Sequence, residues 1–344
     1  MAAWSKLLGS AASAVDRAVV AAMHAHGARD RARAEKMPHG ERLEVLAGIE
    51  RDYSDHDHFF DSTKAIEPTL RDVRPGVYDA SWASTFEPYL AAVSQKYLGH
   101  VENRTARARL FLRGGKRPVT IAIHGYLGGY YAFEEATWPI AWMQKRGLDV
   151  AIPVLPFHAQ RGGQRRGAPP FPSADPRLTN EGFRQAAADI VGLARWLRDR
   201  GAPAVGVIGV SLGGYTSSLL ATVSDAFDFV VPMIPLASVA DFAREQGRLG
   251  IGPEVDEQHA ALEKANWIVS PLARPLKTPK SRALVIAAEN DQITPTSHAR
   301  RLATHFDCEM MTIAGGHLVQ LGRGDAYRAF GQLLVREGII NARR

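Results

Sequence analysis

The sequence predicts an α/β protein built on a mostly parallel, twisted sheet of about eight strands flanked by helices, with a small helical lid and an N-terminal helical extension. From about residue 104 onward, short β-branched runs alternate with helical segments of about ten to twenty residues, which is the pattern of βαβ units. The runs are apolar almost throughout, and this indicates strands that are buried on both faces of a parallel sheet. Together these patterns predict a sheet that lies between two layers of helices.

The candidate strands are the apolar runs that turn residues separate from one another. The first two runs are joined by residues 113–117, Arg-Gly-Gly-Lys-Arg, and this short connection predicts an antiparallel hairpin at the start of the sheet. The runs are Ala106 to Leu112, Val119 to His124, Asp149 to Val154, Ala204 to Val210, Phe229 to Ile234, Ala283 to Ala288 and Glu309 to Ile313.

Two intervals between the strands predict helices. Thr179 and Asn180 are candidate N-caps of a helix that ends at Gly201, directly before the strand that carries the central motif. The interval 239–280 is too long for a simple crossover, and its apolar residues predict a small helical lid. We therefore predict one α/β domain over residues 101–340, with the lid inserted at about 239–280.

Residues 1–100 precede this pattern, and we predict for them a helical and irregular extension. Its first part has an amphipathic stripe that basic residues follow, which is the pattern of a helix lying on an anionic membrane surface. Docking of this helix on its own domain or on a partner subunit is the competing prediction. Residues 82–98 predict a further helix that leads into the first strand. The stripe consists of Trp4, Leu7, Leu8, Ala12, Val15, Val19 and Met23.

Composition restricts the class of protein. No uninterrupted apolar run approaches the roughly 18 residues that a membrane span needs. A single cysteine, Cys308, excludes an intrachain disulfide and a zinc site made of cysteines. The net charge of +6 arises from basic residues that are mostly scattered, so we predict no nucleic-acid partner. Asp16 and Arg17 interrupt the N-terminal apolar stretch, which predicts no cleaved signal and a cytoplasmic protein, with peripheral membrane contact as the open alternative.

Residues 55–58, Asp-His-Asp-His, raise the question of a metal site. Histidines two residues apart in an exposed loop lack the fixed geometry that a metal site needs, and they are expected to be solvated. The sequence therefore predicts no metal ion.

The central motif is Gly-Val-Ser-Leu-Gly at residues 209–213, which follows an apolar strand and precedes a helix-forming segment. This arrangement is a nucleophile elbow, a sharp turn that holds a serine out at the end of a strand. A β-carbon two residues before or after the serine would collide with the neighbouring chain, which explains Gly209 and Gly213. A dinucleotide fingerprint or a phosphate loop does not fit, since Gly-x-Gly-x-x-Gly and Gly-Lys-Ser/Thr are both absent here. Ser211 is therefore the candidate nucleophile.

A serine hydroxyl attacks an acyl carbon only if a neighbouring base removes its proton. His317 is the candidate base, because it lies in a Gly-Gly-His loop just after the last predicted strand. Such a base needs a carboxylate that fixes its tautomer, and Asp291 follows a buried strand at the same edge of the sheet. Glu289 and Asp241 are the fallback acids.

The negative charge that develops on the attacked carbonyl requires fixed N–H donors. We predict the main-chain amide of Leu212, directly after the nucleophile, as the first donor. The amide of Tyr126 is the second, because this residue follows a predicted strand that ends in His-Gly and begins a flexible, glycine-rich loop.

These motifs resemble those of the α/β-hydrolase superfamily, which has a His-Gly loop (here residues 124–125), a Gly-x-Ser-x-Gly elbow (209–213), an acid loop (291–295) and a histidine loop (315–317). The order of nucleophile, acid and base along the chain is also that of the superfamily. The resemblance covers roughly residues 104–338. It implies the α/β-hydrolase fold, an acyl-enzyme mechanism without a cofactor, and hydrolysis of an ester, lipid or thioester.

Residues near the predicted site give expectations about the substrate. The segment 152–166 follows a strand, and its arginines are candidates for binding a carboxylate or phosphate, although a merely soluble loop has the same composition. Aromatic residues near the elbow and in the lid predict an apolar acyl pocket or, equally, part of the core. The candidate substrate-binding residues are His124, Leu127, Tyr130, His158, Arg161, Arg165, Arg166 and Trp267.

We therefore expect a serine hydrolase that acts on a small-molecule or lipid ester. The alternative enzymes use the same triad for acyl transfer or for cleavage of a thioester or amide, and no motif separates them. Epoxide hydrolases and haloalkane dehalogenases of this fold need an aspartate at the elbow, so Ser211 argues against both. The alternative of another class is a catalytically silent domain that binds a ligand.

Overall fold

A computed structural model describes residues 12–18, 20–21, 37–61, 64–163, 167–250 and 252–342. Its centre is a nine-stranded sheet made of β1 (Thr69–Arg74), β2 (Val77–Ala83), β3 (Thr105–Phe111), β4 (Val119–Ile123), β5 (Asp149–Pro153), β6 (Val205–Val210), β7 (Val230–Met233), β8 (Leu284–Ala288) and β9 (Glu309–Ile313). The order across the sheet is β1-β2-β3-β5-β4-β6-β7-β8-β9. This mostly parallel sheet in a mixed α/β chain confirms the predicted fold class.

The hairpin predicted between the first two apolar runs is wrong, because β5 lies between β3 and β4. β3 is antiparallel to both of its neighbours, β2 and β5, whereas β4 pairs in parallel with β5 and β6. Every residue of β4 is buried, so this strand belongs in the middle of the sheet. The connection from β3 passes the start of β5, where the Asp149 carboxylate accepts a hydrogen bond from the Arg113 amide (3.0 Å).

Residues 69–83 form strands in a region for which the sequence predicts only helical and irregular structure. β1 and β2 pair as an antiparallel hairpin that turns at Gly76, whose φ is +74°. β2 then pairs with β3 and extends the sheet. β1 is exposed at nearly every position, so no apolar run marks it in the sequence. Trp82 lies in β2, and the helix predicted for residues 82–98 begins only at Ala91.

Helices cover both faces of the sheet. The longest begins at Pro176, and Asp175 caps it by accepting a hydrogen bond from the Arg177 amide (3.1 Å). The predicted caps Thr179 and Asn180 therefore lie inside the helix, where both are buried. Among the described residues, no helix is both long and apolar enough to cross a membrane. The helices are α1 (His39–Asp52), α2 (Ala91–Leu98), α3 (Tyr131–Thr137), α4 (Ile140–Lys145), α5 (Pro176–Asp199), α6 (Leu212–Val223), α7 (Val239–Glu245), α8 (Glu254–Ala265), α9 (Thr296–Phe306) and α10 (Arg323–Arg336).

Apolar clusters fix the sheet between its helices, and a smaller one joins β8 to α9. One large cluster joins the sheet to α5 and α6, and another joins it to α4 and α10. Helices α7 and α8 occupy the interval predicted as a lid, and α8 packs against α1. Because neighbouring strands from β4 through β6, β7 and β8 to β9 pair in parallel, their carboxyl ends lie at one edge of the sheet, where ligand sites of α/β proteins lie.

Candidate active site

Ser211 lies in the turn from β6 into α6. Its φ of +58° and ψ of −114° are unfavourable for a residue with a side chain, and the surrounding structure must hold this conformation. A Cβ at Gly209 would overlap the main chain of Gly213, and a Cβ at Gly213 would overlap the carbonyl oxygens of Ile123 and His124. The two glycines therefore allow the close approach that a nucleophile elbow needs, as the sequence predicts.

His317 lies on the loop between β9 and α10, and its side chain is only 7% exposed. Its Nε2 lies 2.9 Å from the Oγ of Ser211, and its Nδ1 lies 2.8 Å from the Oδ2 of Asp291. Because the carboxylate accepts the proton on Nδ1, Nε2 has a lone pair that can accept the serine proton. The structure thus brings the three predicted residues together in one hydrogen-bonded chain.

The side chain of Asp291 is fully buried, and residues that follow it hold its carboxylate. Oδ1 accepts hydrogen bonds from the amides of Ile293 (2.8 Å) and Thr294 (2.7 Å). The Thr294 hydroxyl lies 3.0 Å from Oδ2, the oxygen that faces His317. Thr294 is a residue that sequence reasoning missed; its signal is a side-chain hydroxyl three residues after an acid, a spacing at which the two side chains meet in a tight turn.

The two fallback acids lie elsewhere. Asp241 bonds the Nε2 of His259 (2.7 Å) and the guanidinium of Arg301, and Glu289 is exposed. One group of possible metal ligands consists of Asp241, His259 and Glu263. The Arg301 guanidinium donates hydrogen bonds to both carboxylates of this group and offsets their negative charge. Neither fallback acid bonds His317.

The loop after β4 packs against the nucleophile. A Cβ at Gly125 would lie 3.5 Å from the Cβ of Ser211. Within the described part of the chain, the main-chain amides of Tyr126 and Leu212 donate no hydrogen bond to a protein atom. That both amides donate to an oxyanion stays a prediction.

Glu134 holds this loop, although sequence reasoning missed it. Its carboxylate is buried and accepts hydrogen bonds from the Gly129 amide (2.8 Å) and the Trp138 indole (3.0 Å). Leu127 and Gly129 adopt φ of +67° and +94°, which makes the turn that this carboxylate stabilises. The signal is an acidic pair, Glu134 and Glu135, in an aromatic segment directly after a glycine-rich loop, although the sequence does not say which of the two acids bonds the loop.

His124 also holds this loop. It is only 1% exposed, so a substrate cannot contact its side chain. Its Nδ1 donates to the Gly125 carbonyl (2.7 Å), and its Nε2 accepts from the Leu155 amide (3.0 Å). Burial lowers the pKa of His124, which keeps the ring neutral in this tautomer. The prediction that His124 binds substrate is therefore corrected to a structural role.

His158 and Arg161 are also buried and do not line the mouth of the site. Burial lowers the pKa of His158 to about 3, and its Nδ1 donates to the Pro156 carbonyl (2.9 Å). The guanidinium of Arg161 lies 2.9 Å from the Asp189 carboxylate and donates to the carbonyl of Val154. The chain after β5 thus turns inward, which contradicts the prediction that His158 binds the substrate and that Arg161 binds an anionic group of it. The predicted Arg165 and Arg166 lie outside the described residues.

The remaining predicted substrate residues divide between two places. Tyr126, Leu127 and Tyr130 are exposed on the loop after β4, whose Gly125 packs against Ser211. Trp267 lines a separate open groove of about 600 Å³ that residues of α9 form, and none of the residues lining that groove belongs to the Ser211 site. The structure therefore does not bring Trp267 into the predicted acyl pocket.

Comparison with known proteins matches part of the chain to a family and most of the chain to an uncharacterized relative. The sequence model of the prolyl oligopeptidase family matches residues 177–313, a range that contains Ser211 and Asp291 and ends just before His317. The chain is 28% identical over 292 residues to the uncharacterized protein Rv2627c of Mycobacterium tuberculosis (strain ATCC 25618 / H37Rv). That match covers 82% of this chain and 70% of the relative.

Solved structures share the fold at low sequence identity. Acetyl xylan esterase from Paenibacillus sp. R4 is similar with a TM-score of 0.54 at 15% identity, over 86% of this chain and 99% of that chain. Acetyl xylan esterase 1 from Thermoanaerobacterium sp. JW/SL YS485 is similar with the same TM-score and coverage at 18% identity. These likenesses show that the chain has the α/β-hydrolase fold.

Proposed function

We propose that this protein is a serine hydrolase that cleaves carboxylic esters through an acyl-enzyme on Ser211. The observation that carries the proposal is the chain of hydrogen bonds from Ser211 Oγ to His317 Nε2 (2.9 Å) and from His317 Nδ1 to Asp291 (2.8 Å). A base with a fixed tautomer and a strained nucleophile are the two requirements of acyl transfer to serine.

In the first half of the reaction, Ser211 Oγ attacks the ester carbonyl while His317 Nε2 takes its proton. The oxyanion accepts hydrogen bonds from the amides of Leu212 and Tyr126, each worth about 3 kcal/mol of barrier. Asp291 stabilises the imidazolium, which then gives its proton to the leaving alcohol as the carbon–oxygen bond breaks. Water repeats these steps on the acyl-enzyme, releases the acid and returns the proton to Ser211.

Exposed side chains near Ser211 favour binding of a substrate that has an apolar group. Exposed apolar side chains lie on the loop after β4, on α3 and on the histidine loop, at the same edge of the sheet as the nucleophile. They are Leu127, Tyr130, Phe133, Leu318 and Leu321. We therefore propose an ester with an apolar acyl or alcohol group rather than a highly charged one.

Steady-state kinetics with a panel of 4-nitrophenyl esters of increasing chain length tests the proposal. Ser211→Ala should lower kcat by about 10⁴-fold to 10⁶-fold, because no other group supplies the nucleophile. The matched control is Ser281→Ala, which removes an exposed hydroxyl that bonds Glu337 far from the site. Ester turnover that survives in Ser211→Ala would contradict the proposal.

The similar proteins suggest which substrates the panel of esters should be compared with. Acetyl xylan esterases suggest an acetyl ester as one arm, and the prolyl oligopeptidase match suggests a 4-nitroanilide of the same acyl group as another. A thioester and an alcohol acceptor complete the panel and separate hydrolysis of esters from the alternatives of thioester cleavage and acyl transfer. Higher kcat/KM for the anilide than for the matched ester would favour the peptidase alternative.

A further inference from the structure

The helical residues 12–18 dock on the two loops that carry the base and the acid of the triad. Ala12 and Ser13 are buried, although both lie far from these loops in sequence. The Ser13 hydroxyl donates a hydrogen bond to the carbonyl of Asn290 (3.2 Å), the residue before Asp291. The N-terminal segment therefore contacts the site that its own domain forms.

Asp16 lies at the centre of this contact and is fully buried. Its Oδ2 accepts hydrogen bonds from the main-chain amides of His317 (2.6 Å) and Gln292 (3.3 Å), and its Oδ1 accepts one from Leu318 (3.1 Å). Gln292 directly follows Asp291. One carboxylate thus bridges the main chain of the base to the residue next to the acid.

A buried carboxylate is costly to desolvate unless hydrogen bonds compensate it. In the described residues, the hydrogen bonds to Asp16 all come from main-chain amides of these two loops. The histidine loop leaves room for the carboxylate only because residue 316 is glycine, since a Cβ there would lie 2.5 Å from the Oδ2 of Asp16. The loop sequence and the buried charge therefore fit each other.

We propose that Asp16 is a positioning residue for the triad, a role that rests on the proposed function. It acts through the main chain, by keeping the His317 loop and the Asp291 loop at the separation that allows both triad hydrogen bonds. Loss of the carboxylate lets the loops separate and misaligns Nε2 with the serine hydroxyl, while the apolar side chains on the loop after β4 and on α3 keep their places. Catalysis should therefore fall much more than substrate affinity.

The test is the rate at which an alkyl fluorophosphonate labels the full-length protein, measured together with the final labelled fraction. Asp16→Asn keeps the size of the side chain but places an amide N–H against a main-chain N–H. We expect wild type and Asp16→Asn to reach the same final fraction, with a rate constant about 10-fold to 100-fold lower in the variant. With an ester substrate, kcat should fall and KM should change little.

The matched control is Asp149→Asn, because Asp149 is also buried and also accepts a main-chain amide, but at the opposite edge of the sheet. It should lose thermal stability and keep the wild-type labelling rate. A wild-type rate in Asp16→Asn, or an equal loss of rate in Asp149→Asn, would overturn the positioning role. Absence of labelling in the wild type would instead refute the proposed function, and with it this role.

Gly316→Ala provides a second variant in case Asp16→Asn does not fold. Its added methyl group displaces the Asp16 carboxylate, and the φ of residue 316 is one that alanine tolerates. Slower labelling to the same final fraction would support the proposal, and a wild-type rate would overturn it.

Discussion

His317 depends on one carboxylate for its orientation, and this dependence is measurable at the level of a single residue. Asp291→Asn should lower kcat by about 10⁴-fold, because an amide neither fixes the Nδ1–H tautomer nor stabilises the imidazolium. The measurement is kcat with an ester, together with the melting temperature. Asp241→Asn is the matched control, since Asp241 also bonds a histidine, His259, and it should keep wild-type kcat. A wild-type kcat in Asp291→Asn would contradict the role of Asp291.

His158 makes stability depend on pH. Burial lowers its pKa from 6.5 to about 3, so below pH 6.5 the unfolded chain binds a proton that the folded protein does not. The free energy of unfolding should therefore fall as the pH falls, by about 2 kcal/mol from this group between pH 6.5 and pH 5. Urea unfolding at these two pH values should show a smaller fall in His158→Asn than in wild type. An equal fall in both proteins would assign the effect to other groups.

Residues near the site also show which contacts local sequence patterns do not predict. The triad was predictable because each member lies directly after an apolar strand and in a recognisable local pattern. The sequence predicts Arg161 as a candidate for binding an anionic substrate, because its true partner Asp189 lies on α5 and long-range pairing leaves no local pattern. Asp16 was visible as an acid in an apolar helical stripe, but nothing in the sequence indicated which loops it bonds.

Among the elements, the nucleophile elbow has the least tolerance for added volume. Gly213→Ala should greatly lower the free energy of unfolding or prevent folding, because its methyl group would overlap the end of β4. Gly48→Ala is the matched control, since it lies inside α1 with only the distal end of Arg51 near its added Cβ. That change should raise stability by up to about 1 kcal/mol. Chemical denaturation compares them, and equal stability of the two variants would contradict the packing of the elbow.

How far the sequence predicts an element depends on how the element is buried. The strands β4 to β8 are buried nearly throughout, and their apolar runs were visible. β1 is exposed, so its strand pairing with β2 had no apolar signature. The position of β5 between β3 and β4 is a property of the crossover connection, which local residue patterns do not encode.

In the whole molecule, the sheet extends through β2 and β1 instead of beginning at the predicted run Ala106 to Leu112. Because β2 pairs with β3 along its whole length, we expect its amides to exchange with solvent hydrogen as slowly as those of β6. Hydrogen exchange followed by mass spectrometry of peptic fragments measures both strands in one experiment. Much faster exchange in residues 77–83 than in residues 205–210 would show that the hairpin unfolds independently of the sheet.

The fold brings one serine, one histidine and one aspartate together, and adduct mapping shows whether that serine is the nucleophile. After reaction with an alkyl fluorophosphonate, mass spectrometry of proteolytic fragments should find one adduct, on the fragment that contains Ser211. Ser211→Ala should carry no adduct, and Ser281→Ala should carry the wild-type adduct. A wild-type protein that remains unlabelled, or a Ser211→Ala protein labelled to the same extent, would contradict the account.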